Sequence, residues 1–102
     1  MATKNKTTKK TEPRIVLVRS RDSGVWIGEF VSKSGADVTL TKARKIWRWR
    51  GANTTSELAL RGCAVEYSRV AEAVDTTVLG CCEITESNAA AFKAVNACGW
   101  PQ

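Results

Sequence analysis

The stretch Val38-Thr-Leu-Thr-Lys-Ala-Arg-Lys-Ile-Trp-Arg-Trp-Arg-Gly51 changes its apolar parity midway: Val38 and Leu40 are apolar at even positions, Trp47 and Trp49 at odd ones. A strand alternates its side chains between two faces with a period of two, so its phase cannot switch without an extra residue. The stretch therefore predicts a strand interrupted by a bulge or short break near Lys42 to Lys45. Beyond it, Trp47 and Trp49 are expected on one face, and Arg44, Arg48 and Arg50 on the other together with Ile46.

Working outward, the residues before this strand read as its partners. Ile15-Val16-Leu17-Val18 within residues 14–20 is a short apolar run, expected to be buried on both faces. Arg21-Asp22-Ser23-Gly24 is a turn. Val25 to Ser32 is a second strand, with Trp26, Gly28 and Phe30 on one face and Val25, Ile27 and Val31 on the other. Gly28 leaves room for a neighbouring aromatic against the backbone. Lys33-Ser34-Gly35 turns the chain into the third strand at Asp37, completing a meander.

After Gly51-Ala52-Asn53, Thr54 and Glu57 form a capping-box pattern for a helix over Thr55 to Arg61, stopped by Gly62. Residues 63–69 read as irregular, anchored by Tyr67. Val70 to Val74 reads as an edge strand, and Thr76 to Thr85 as one β segment. Thr85 or Ser87 is expected to cap an alanine-rich helix, Glu86 to Cys98, that packs Phe92 and Val95 inward and ends at Gly99. The expected fold is α+β: a small antiparallel β-sheet or partly open barrel of about five strands, with two short helices. Residues 13–102 form that single domain, and residues 1–12 form a disordered basic arm with no apolar anchor.

The charge is uneven. The chain has 102 residues and a net charge of +6. Residues 1–14 contribute +4, chiefly from Lys4, Lys6, Lys9 and Lys10; residues 42–50 contribute +5 with no acid; residues 51–102 contribute −3. A focused basic patch attracts polyanions or acidic protein surfaces. A domain this size buries only about 65% of its unfolded surface, so self-association is expected. The start is polar and lacks the apolar stretch of a secretory signal, and no run approaches the roughly 20 residues of a membrane span. The expectation is a protein of a reducing cytoplasm, without membrane contact.

Catalytic chemistry is poorly supplied. There is no histidine, which removes the commonest general base and metal ligand. No Gly-rich phosphate loop leads into a helix. Cys63, Cys81, Cys82 and Cys98 lack zinc spacing and read as small buried hydrophobes; on a strand Cys81 and Cys82 would point to opposite faces. The residues predict no enzyme, no catalytic residue, no metal and no cofactor.

Binding chemistry is concentrated in residues 44–50. Arginine offers a planar donor fork for phosphate or carboxylate, and tryptophan a flat apolar face. Three arrangements follow. In one, the tryptophans are core while Arg44, Lys45, Arg48 and Arg50 form an anion-binding surface for nucleic acid or a nucleotide. In another, both faces are buried between copies of the chain in a homo-oligomer, the arginines pairing with acids such as Glu66, Glu72, Glu83 or Glu86. In the third, the tryptophans are exposed and stack on a base. Trp26 and Trp100 are expected to pack with Trp47 and Trp49.

The hairpin Arg19 to Gly28, the run Val38 to Trp47, then Trp49, Gly51-Ala52 and a Leu/Ala-rich short helix together resemble a family of small phage- and prophage-encoded domains of unknown function. The likeness spans about residues 15–100 and leaves the lysine-rich arm outside. It implies a phage or prophage source and no activity. The functional expectation is an accessory protein binding an anionic ligand; the alternative is a virion structural or assembly protein that contacts other phage structural proteins.

Overall fold

The computed structural model describes residues 13–49, 52, 54–64 and 68–98. The elements run β1 (Ile15–Ser20), β2 (Gly24–Ser34), β3 (Asp37–Arg48), α1 (Thr55–Arg61), β4 (Arg69–Val70), β5 (Val74–Val78), β6 (Cys81–Glu86) and α2 (Ala89–Asn96). The six strands form one antiparallel sheet in the order β4-β3-β2-β1-β6, with β5 also pairing β3. The sheet is not closed. The architecture is α+β, with the expected N-terminal meander and two short helices.

Both faces of β1 are buried, as the apolar run requires. Ile15 and Leu17 join Ile27, Ile46, Leu58, Phe92 and Val95 in a core beneath the two helices. Val16 and Val18 join Val38, Leu40, Ala43 and Val78 in a second core on the opposite face, flanked by Trp26 and Phe30. Among the described residues, no helix contributes to the second core. Instead the sheet curls: Cys81 N donates to Ala36 O at 2.7 Å, and Ser20 Oγ donates to Leu79 O at 2.7 Å, drawing the β5–β6 corner toward the rest of the sheet.

The parity switch in β3 is a bulge at Lys42. Ile27 pairs with Arg44 and Glu29 with Thr41, so two β3 residues face Gly28 alone. Along the other edge Leu40 pairs with Thr76 and Ala43 with Val74, so two face Asp75 alone. Lys42, common to both irregularities, has φ +53°, a conformation that costs a non-glycine residue energy. Its neighbours compensate: Lys42 N donates to Asp75 Oδ1 at 3.2 Å, and its ammonium lies 3.4 Å from Glu29 Oε2. Gly28 admits backbone here rather than the aromatic expected, since a Cβ would stand 2.9 Å from Ala43 Cα.

Helix α1 starts and stops where its sequence indicates. Thr54 Oγ1 accepts from Glu57 N at 3.2 Å, and Gly62 at φ +78° ends it. Helix α2 starts later than expected, because Glu86 still pairs with Val16 in the sheet. Asn88, rather than Thr85 or Ser87, caps it by accepting from Ala91 N at 2.7 Å. The expected strand Val70 to Val74 is also redistributed: Val70 ends β4 and Val74 begins β5. The expected β segment Thr76 to Thr85 breaks at Leu79 and Gly80, where Gly80 takes φ +66°.

Candidate functional site: the distal end of β3

Beyond the bulge, β3 divides its basic and aromatic residues differently from a simple alternation. Arg44 faces the helices, as Ile46 does. Its Nε donates to Ala71 O at 2.8 Å, Nη1 to Asn96 O and Asn96 Oδ1 at 3.2 Å, and Nη2 to Cys98 O at 3.3 Å and Val70 O at 3.4 Å. Arginine has five N–H donors, and these five contacts engage them. Arg44 ties the carboxyl end of α2 to the chain leaving β4. It is a structural cation, and its fork is not presented to an anion.

Lys45 points to the opposite face. It pairs in register with Trp26, and its ammonium lies 5.8 Å from that indole's centroid, within range of a cation–π attraction. Trp26 is half-buried beside the second core, and its Nε1 donates to Ser23 O at 3.0 Å.

A second irregularity follows. Ile46 pairs with Val70 and Arg48 with Arg69, which makes Trp47 an extra residue in the β3–β4 register. The phase slips again, and this overturns the expected pairing of the two tryptophans. Trp47 is 58% exposed, whereas Trp49 folds against the helix-side core and donates from Nε1 to Ala52 O at 3.2 Å. Trp26 and Trp49 accordingly belong to different cores rather than one aromatic cluster.

Arg48 is exposed and directly opposite Arg69 on β4. Like charges at opposed positions of an antiparallel pair disfavour each other, and here two arginines stand so. Arg69 is the residue that sequence reasoning missed. β4 has only two residues, and nothing local marks Arg69 as a partner of a strand twenty residues earlier. The site assembled by the fold is thus Lys45, Trp47, Arg48 and Arg69. Arg50, Trp100 and the arm lysines Lys4, Lys6, Lys9 and Lys10 lie outside the described residues.

Ion pairs join Arg14 to Glu86, Lys42 to Glu29 and Arg61 to Glu57. Arg14 binds Glu86 through both carboxylate oxygens, with Nε 2.9 Å from Oε2, and its guanidinium lies 4.5 Å from the centre of the Phe30 ring. The Arg14 hydrogen bond holds the Glu86 carboxyl below its usual value. A cavity of about 260 Å³ lies between α2 and the sheet, walled by Ile15, Phe92 and Ala89 with Glu29 and Asn96 at its margin. Of its polar lining, Glu29 is engaged by Thr41 and Lys42, and Asn96 by Arg44, while Lys93 completes the wall. Among the described residues no cluster of Cys, Asp and Glu could hold a metal ion, and no helix is long and apolar enough to cross a membrane.

A family described as a domain of unknown function (DUF6948) matches residues 13–95. No curated protein and no solved structure matches the chain.

Proposed function

We propose that this chain, which belongs to that family of domains of unknown function, is a non-enzymatic, phage-encoded accessory protein that binds single-stranded nucleic acid at the distal end of β3. The observation carrying this reading is the exposed Trp47 beside the opposed Arg48 and Arg69. Guanidinium groups grip phosphate, and an exposed indole offers a stacking platform that tolerates any base. Lys45 adds a third positive side chain along the same strand. Trp47 and Arg48 are both exposed, which suits a polymer better than a nucleotide held in a pocket. The absence of histidine supports the non-enzymatic part of the reading, and the likeness to phage and prophage domains supports the source.

Fluorescence anisotropy with labelled single-stranded DNA and RNA at low salt tests it. Trp47→Ala should weaken binding by at least fivefold, since stacking on one base is worth about 1–3 kcal/mol. Arg48→Glu should weaken it further. Binding unchanged in both variants, or absent from the wild-type protein, overturns the proposal.

A second reading is favoured by one observation. β6 stands at an edge of the sheet, and a free edge can accept a strand from another chain. In that reading the protein is oligomeric and joins phage structural proteins. Light scattering on the purified protein and mass spectrometry of virions test it; a monomer absent from the particle excludes it.

A further inference from the structure

Two buried cysteines face each other where the helices end. Cys63 follows α1 and Cys98 follows α2, and they are 8% and 3% exposed. Their Sγ atoms lie 3.5 Å apart across 35 residues of chain. The proximity is built in by backbone: a Cβ on Gly62 would stand 2.7 Å from both Ala91 O and Ala94 Cβ, so α1 can end against α2 only at a glycine. The next residue is Cys63. A disulfide bond is about 2.05 Å long, so the sulfurs need to approach by roughly 1.5 Å. Cys81 and Cys82 are not so placed. The Cys82 thiol reaches Arg19 O, and the Cys81 thiol reaches Val78 O.

We propose that Cys63 and Cys98 are a dithiol latch, which a peroxide converts to an internal disulfide joining the ends of the two helices. One sulfur attacks a peroxide oxygen; the O–O bond breaks, a sulfenic acid forms and one water leaves. The second sulfur then attacks the sulfenic sulfur; the S–S bond forms, the S–O bond breaks and a second water leaves. The two thiols lose two electrons and two protons, and one peroxide is reduced to two waters. Burial governs the rate. It pushes the Cys98 thiol up to about 12, which leaves very little thiolate at neutral pH, and thiolate is the reactive form. Oxidation is therefore slow and follows opening of the helix ends.

The test uses the full chain carrying Cys81→Ser and Cys82→Ser, which leaves the pair untouched. After hydrogen peroxide treatment, non-reducing peptide mapping of the monomer should show Cys63 linked to Cys98. The Tm should rise by about 10 °C or more for a loop of this length, and dithiothreitol should reverse it. Adding Cys63→Ala should abolish the peroxide-dependent rise. Thiols that stay free, sulfinic acid on unlinked peptides, links only between molecules, or a rise that survives Cys63→Ala each overturn the proposal.

Discussion

Gly28 and Ala43 approach so closely that a Cβ on the glycine would stand 2.9 Å from the Cα of Ala43. The glycine on β2 and the bulge on β3 are therefore one device, each requiring the other. Gly28→Ala must displace backbone, because Thr41 O would also lie only 3.1 Å from the new carbon. The expected loss is about 1–3 kcal/mol, read as a lower urea midpoint with an unchanged slope.

Arg44 and Arg48 should separate stability from binding. Arg44→Ala strands carbonyls at Val70, Ala71, Asn96 and Cys98, and should cost about 2–4 kcal/mol. Where enough of the variant remains folded at low temperature, its affinity for nucleic acid should be close to wild type. Arg48→Ala should leave stability within about 0.5 kcal/mol and weaken binding. Urea titration and anisotropy on the same preparations check both.

The salt dependence of binding gives an independent measure. Each phosphate neutralised on a single strand contributes about −0.7 to the slope of log K against log salt. Arg48→Ala and Lys45→Ala should each flatten that slope by about this amount, whereas Trp47→Ala should lower affinity at every salt concentration and leave the slope in place.

Acid should weaken the fold partly through Glu86. Its carboxyl is held below the ordinary 4.5 by the Arg14 hydrogen bond. A carboxylate with a depressed folded-state pKa contributes stability above its unfolded value, and that contribution is lost as pH falls through the folded value. Glu86→Gln should therefore narrow the stability gap between pH 7 and pH 3 in urea titrations. The pair is exposed, so added salt should shrink the difference.

Much of this architecture is written locally. The opposed parity of Val38–Leu40 and Trp47–Trp49 calls for an extra residue near Lys42, and Lys42 is one, although it brings Ala43 rather than Trp49 onto the face of Val38 and Leu40. Thr54 and Glu57 mark the start of α1 because capping is a contact over three residues. The second slip, at Trp47, is illegible for a physical reason. It depends on the register of β4, a strand of two residues brought in from far along the chain, and two tryptophans flanking one arginine look alike whether or not a residue is extra. The same distance hides Arg69. The role of Arg44 is hidden differently, since its acceptors are main-chain carbonyls that no side-chain pattern reveals. Asn88 is illegible as the cap of α2 because only the pairing of Glu86 with Val16 shows that the strand persists past Thr85.

The position of β1 between β2 and β6 has a consequence for how the protein is made. One flank of β1 is covered within a few residues by the adjoining hairpin, but the other waits for Cys81–Glu86, more than sixty residues later. Until that segment leaves the ribosome, Ile15-Val16-Leu17-Val18 forms the rim of an unfinished sheet, with apolar side chains and unpaired main-chain groups facing outward. Such rims recruit other strands. A nascent chain halted before Gly80 would therefore expose its most adhesive surface, and completion of the final strand is what removes it.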